Sequence, residues 1–195
     1  MGRQGYTGGI GFTLQHEADA ASVALPPKYN FSFEAQRSLV KFSGNLGALP
    51  AQFGEVKTIA EIFYAARVNS LDGIQRVRVS DDDANGPQAD YFDDHSVTNN
   101  LAVLTPYQIT FRSFSPEIAQ VLAGFAASPH GFIVKDISVQ TAGALAATSP
   151  DAPAPPPPPP GPAVTPGKGG LQTVLNEQLL RVTLVVEVVK LLPQK

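Results

Sequence analysis

Hydrophobic and polar positions fall into a legible order between Leu104 and Gln140. Tyr107, Ile109 and Phe111 alternate with Gln108, Thr110 and Arg112, the period of two expected of a strand with one buried and one wet face. Ser115-Pro116-Glu117 then opens a helix. Ser115 suits the N-cap, Pro116 the first helical position and Glu117 the positive end of the helix dipole. Ile118, Val121, Leu122 and Phe125 recur at i, i+3, i+4 and i+7, with Ala119, Ala123 and Ala126 as small residues for close packing. Ser128 to Gly131 stops this helix, and Phe132 to Val139 is β-branched and apolar again, with Lys135 and Asp136 blurring its inner face.

The same reading extends outward. From Phe31 to Val68 the pattern is mostly helical, broken near Ser43-Gly44-Asn45. Phe53, Val56, Ala60 and Phe63 line one side, and Lys57 and Glu61 stand four apart on a wetter one. Ile74 to Val79 reads as a short charged strand suited to a sheet edge. Leu179 to Leu192 reads as a long one: Leu180, Val182, Leu184, Val186 and Val188 point one way, and the opposite face is partly apolar too, which places it inside the sheet or against a partner.

Composition shortens the folded part. Of 18 prolines, ten lie between Pro150 and Pro166, a stretch with too little apolar area to offset its ordering entropy. Pro155 to Pro160 predicts a polyproline II spacer of about 19 Å. Residues 1–30 carry five glycines and no sustained period, and predict a flexible leader. The domain expected is one α+β unit over 31–141 and 171–195, with 142–170 as a Pro/Gly-rich linker inserted before the last strand. The formal charge of -3 and the lack of a basic cluster argue against nucleic acid. Zero cysteines removes disulfide, thiolate-metal and thiol-nucleophile chemistry. The sequence as given reads as soluble, with membrane contact only through an anchor outside it.

Candidate chemistry is sparse. Gly8-Gly9-Ile10-Gly11 lacks the strand and helix of a nucleotide loop, and Pro166 to Gly170 lacks the spacing of a phosphate loop. His16, His95 and His130 form no zinc-binding pair, and His95 beside Asp93 and Asp94 reads as a surface histidine. The loop 80–100 holds six aspartates. Asp81, Asp83, Asn85 and Gly86 match the first, third, fifth and sixth positions of a calcium loop, but Phe92 stands where the bidentate Glu belongs. A calcium-dependent ligand-binding module built on this loop is the alternative function. No catalytic, cofactor-binding or metal residue is assigned, and the protein is read as not an enzyme.

Helix, strand, strand, helix, strand, strand is one αββ unit used twice, predicting a four-stranded antiparallel sheet with both helices on one face, a circularly permuted ferredoxin-like fold. FGEVKTIAEIFYAARVNSLDGIQRVRVSDDDANGP, LTPYQITFRSFSPEIAQVLAGFAASPHGFIVKDISVQ and QLLRVTLVVEVVKLLP resemble the pilus-like surface proteins related to PilO, a type IV pilus assembly component. The resemblance covers roughly Ala48 to Pro193. It implies the same αββ repeat, normally behind a membrane-spanning helix and a dimerising coiled coil, and no catalytic residues. The expected role is a non-catalytic structural protein of the bacterial cell envelope, periplasmic or surface-associated. It would support pilus or secretion-type assembly through protein partners, including itself as a homodimer, with sheet edges and the C-terminal strand as pairing surfaces.

Overall fold

The structure, a computed structural model, describes residues 6–37, 48–142 and 177–193. The elements are α1 (Tyr6–Ala21), α2 (Glu34–Arg37), α3 (Ala48–Ala66), β1 (Ser70–Arg76), β2 (Val97–Thr98), β3 (Ala102–Ser113), α4 (Ser115–Ala127), β4 (Gly131–Thr141) and β5 (Leu180–Leu191). The class is α+β, as the pattern predicts. The four long strands form an antiparallel sheet in the order β1-β3-β5-β4, and the two-residue β2 adds to β3 from within the acidic loop.

Alternation decides the faces. Tyr107, Ile109 and Phe111 lie opposite Val186, Leu184 and Val182, and all are buried on the side where the helices pack. Phe63 of α3 sets its ring 4.8 Å from Phe111 and 5.9 Å from Phe125 of α4, so both αββ halves share one core. Pro106 lies inside β3 without disrupting the ladder. On one flank β1 pairs with residues from Tyr107 onward and β2 with Val103 and Leu104, so the proline falls in the gap between them, while on the other flank it lies opposite Glu187 of β5.

The structure departs from the sequence reading in several places. Much of the expected leader is α1, whose Leu14 and Ala18 are buried in the core. Its glycines disfavour a helix locally, but packing outweighs propensity. The helical pattern over 31–68 resolves into α2 and α3, and its expected break at residues 43–45 lies outside the described residues. β1 begins at Ser70, four residues before the expected strand. Phe114 takes the N-cap of α4 without a side-chain cap, leaving Ser115 inside the helix. Ala119, Ala123 and Ala126 are exposed; the close approach is made by Gly124, where an added Cβ would come within 2.8 Å of Ile62. The proline linker lies mostly outside the described residues, with the β4–β5 hairpin closed at its base by the Ala142 N–H donating to Leu179 O at 2.9 Å.

Candidate interaction surface

The two edges of the sheet are built differently. β1 forms one edge and is covered at both ends. Near Ser70, the Leu71 N–H donates to Ala24 O at 2.9 Å and the Ala24 N–H to Asn69 O at 3.1 Å. Near Arg76, the Phe92 N–H donates to Arg76 O at 3.0 Å and the Gln75 side-chain amide to Ala89 O at 2.9 Å. The acidic loop is thus laid along the edge that the sequence pattern marked as charged, satisfying backbone groups that an open edge leaves free.

A buried ion pair pins the loop there. Arg76 and Asp83 are both fully buried, and Arg76 forks onto the carboxylate with Nη2–Oδ1 at 2.5 Å and Nη1–Oδ2 at 3.0 Å. Asp83 also accepts from Gln36 Nε2 at 2.5 Å, the Val79 N–H at 2.9 Å, the Ser80 N–H at 3.2 Å and the Tyr91 hydroxyl at 3.2 Å. Arg76 donates further to Ser32 O at 2.8 Å and Gln52 Oε1 at 3.0 Å, with its guanidinium 4.5 Å from the Phe33 ring centre and 5.1 Å from that of Tyr91. Burial alone would push the Asp83 carboxyl up. The donors from Arg76, Val79 and Gln36 outweigh it and hold the carboxyl below its ordinary value. A buried charge survives only when it is paired and its remaining sites are filled, as here.

This arrangement overturns the calcium reading. Asp83 is committed to Arg76, while Asp81 and Asn85 are exposed. Gly86 packs so closely on Tyr91 that a Cβ would fall 2.3 Å from its hydroxyl. Its oxygens therefore do not converge on a cation. His95 is exposed, its N–H donating to the Asp94 carboxylate at 2.8 Å, and Asp93 pairs with Arg78 at 3.2 Å. His16 and His130 are exposed on α1 and on the turn before β4, so the three histidines are not brought together. A cleft of about 870 Å³ between α3 and the β4–β5 end is lined by Glu55, Lys57, Glu61, His130 and Lys190. Its charges are paired off, Lys57 with Glu61 at 2.9 Å and Lys190 with Glu55.

The opposite edge is bare. Among the described residues β4 pairs on one side only, with β5, while β5, expected as a pairing surface, has both its edges occupied by β3 and β4. Ile133, Val134, Ile137 and Val139 of β4 are 43%, 39%, 40% and 48% exposed. Helix α4 reaches the strand at Phe132, whose ring lies 5.1 Å from Phe125. An eleven-residue edge strand with exposed apolar side chains is a ready template for another chain. Alternation alone could not reveal this, because it shows which residues share a face and not whether a helix covers that face.

The fold defines a two-layer α+β protein of αββ repeats with one closed edge and one open edge. No family model and no curated protein matches the sequence. Solved structures share the fold. A protein of Akkermansia muciniphila matches at TM-score 0.63 and 7% identity over 97% of this chain and 76% of that one. A structure from the same organism, solved without its transmembrane region, matches at TM-score 0.61 and 8% identity over 97% and 83%. The type 4 fimbrial biogenesis protein PilO of Pseudomonas aeruginosa aligns at TM-score 0.40 and 12% identity over 83% and 96%. At 7% and 8% identity the likeness to the two Akkermansia muciniphila structures is one of fold alone. Among the described residues, no helix is long and apolar enough to cross a membrane.

Proposed function

We propose that the protein is a non-catalytic structural component of the bacterial cell envelope that supports pilus or secretion-type assembly by protein–protein contact, with β4 as its docking strand. The observation that carries this reading is the asymmetry of the sheet. One edge is covered at both ends, at one of them by a loop held on a buried ion pair, and the other presents backbone and apolar side chains together. A partner adding a strand there gains main-chain hydrogen bonds for affinity and side-chain contacts for selectivity. The shared fold of an Akkermansia muciniphila protein solved without its transmembrane region supports the envelope setting.

The test is capture from envelope extract of a pilus-bearing bacterium on immobilised protein, with Ile137→Lys as the control that charges the docking strand. The expected outcome is recovery of pilus or secretion components by the wild type and their loss with the variant. Recovery of none by the wild type rejects the assembly role.

A further inference from the structure

We propose that the occupant of the β4 edge is a second copy of this chain, its β4 running antiparallel to the first about a two-fold axis perpendicular to the sheet, with Lys135 of each copy opposite Asp136 of the other. The inference rests on the reading of β4 as a docking strand and adds the identity and register of what docks.

The argument comes from the bulge. Val134 lies opposite Val186 and Ile137 opposite Leu184, both buried partners on the helix side, while Asp136 lies opposite Val185 on the other face. Between Val134 and Asp136 the register shifts, leaving Lys135 as the extra residue. Lys135 Nζ reaches Glu187 at 3.5 Å, and Glu187 lies opposite Ile133 on the outer face. Lys135 and Asp136 therefore both face outward. From Phe132 to Val139 the faces run in, out, in, out, out, in, out, in. That order reads the same in both directions.

Symmetry requires such an order. A two-fold axis perpendicular to a sheet reverses strand direction and keeps each side chain on its own face. Residues opposite one another must share a face. An unbulged strand keeps phase with β4 only as β5 does, by leaving one residue unpaired at the bulge. A second β4 stays in phase throughout, with the centre between Lys135 and Asp136. It sets Val134 against Ile137 and Phe132 against Val139 on the helix side, where α4 leaves the stripe exposed. On the outer face it sets Lys135 against Asp136 twice. A bulge and a lysine ordinarily blunt an edge against indiscriminate pairing. Here the same two features select this strand, which carries both the matching bulge and the opposite charge.

The experiment uses the full chain. Sedimentation equilibrium is expected to show a concentration-dependent dimer. Lys135→Asp and Asp136→Lys each place two like-charge pairs across the axis and are expected to raise the dissociation constant at least about tenfold. Mixing the two variants restores opposite charges at both positions and is expected to restore the dimer, which also reports that each is folded. A second measurement needs no variant. Carbodiimide coupling of a mixture of unlabelled and isotope-labelled wild type is expected to join the Lys135 amine to the Asp136 carboxylate with loss of water, giving a mixed-label peptide in the mass spectrum.

A wild type that stays monomeric up to about a millimolar overturns the proposal, as does a dimer that yields no mixed-label Lys135–Asp136 peptide. Variants that dimerise like the wild type overturn it as well. A monomer that still captures envelope components removes self-pairing and leaves the docking role standing. A dimer that captures none does the reverse.

Discussion

Arg76 carries more of the structure than any other single polar side chain described. Through it, strand β1, the segment around Ser32 and Gln36, helix α3 at Gln52 and the loop at Asp83 are tied to one guanidinium. Arg76→Met leaves Asp83 buried without its counter-charge and is expected to cost about 3–5 kcal/mol in chemical denaturation. The carboxylates beside it give opposite pH signatures. Asp83 is held below its ordinary 3.8. It contributes stability that is fully present above the unfolded value and is lost as pH falls through the lower folded value. The gap in melting temperature between wild type and Asp83→Asn is therefore expected to be widest near neutral pH and to narrow in melts taken below about pH 4. Asp90 is held above 3.8, chiefly by burial, against the pull of Arg76 and with a push from Glu34. Asp90→Asn is expected to raise the melting temperature at pH 7, and the gain to vanish in acid, where the wild-type carboxyl is already neutral.

Helices α1 and α3 end in the same way, although neither has the glycine that usually ends them. The Val23 N–H donates to Ala18 O and the Val68 N–H to Phe63 O, closing six-residue turns in which Ser22 and Arg67 adopt φ of 62° and 53°. This left-handed turn crowds a Cβ. Arg67 is exposed, so Arg67→Gly removes little packing and is expected to stabilise the fold by about 0.5–1 kcal/mol, read as a raised midpoint in urea at unchanged slope. Element boundaries were less legible than element types. The stripe of α4 and the two-faced character of β5 were plain in the sequence, because each rests on the spacing of neighbours. Helix α1 was hidden because its glycines argue against it, while Leu14 and Ala18, which hold it, are too few to set a period.

For the whole molecule, the domain boundary is proposed to pass through the hairpin that Ala142 and Leu179 close. Replacing residues 143–178 with a short turn is expected to leave the circular dichroism spectrum and cooperative melting intact, since β4 and β5 remain paired along their length. Loss of cooperative unfolding would show that the inserted residues belong to the core. The two edges also make different demands on the molecule. The β1 edge is completed from within the chain, and the β4 edge leaves association to concentration and to the matching of its bulge.

The sequence by itself determined the α+β class, the order of the two αββ units and the edge position of the charged strand, and left the C-terminal strand either inside the sheet or against a partner. Each follows from alternation or helical spacing, which is a relation among residues close in the chain. Tertiary structure decided what those patterns do not contain. The six aspartates looked like one solvated run, yet Asp83 is buried, because its partners Arg76 and Gln36 come from elements 7 and 47 residues away. The apolar strand from Phe132 to Val139 looked like any half-buried strand. It is bare because the helices and the acidic loop gather over the rest of the sheet, and whether distant segments cover an edge is fixed only when the chain has folded around it.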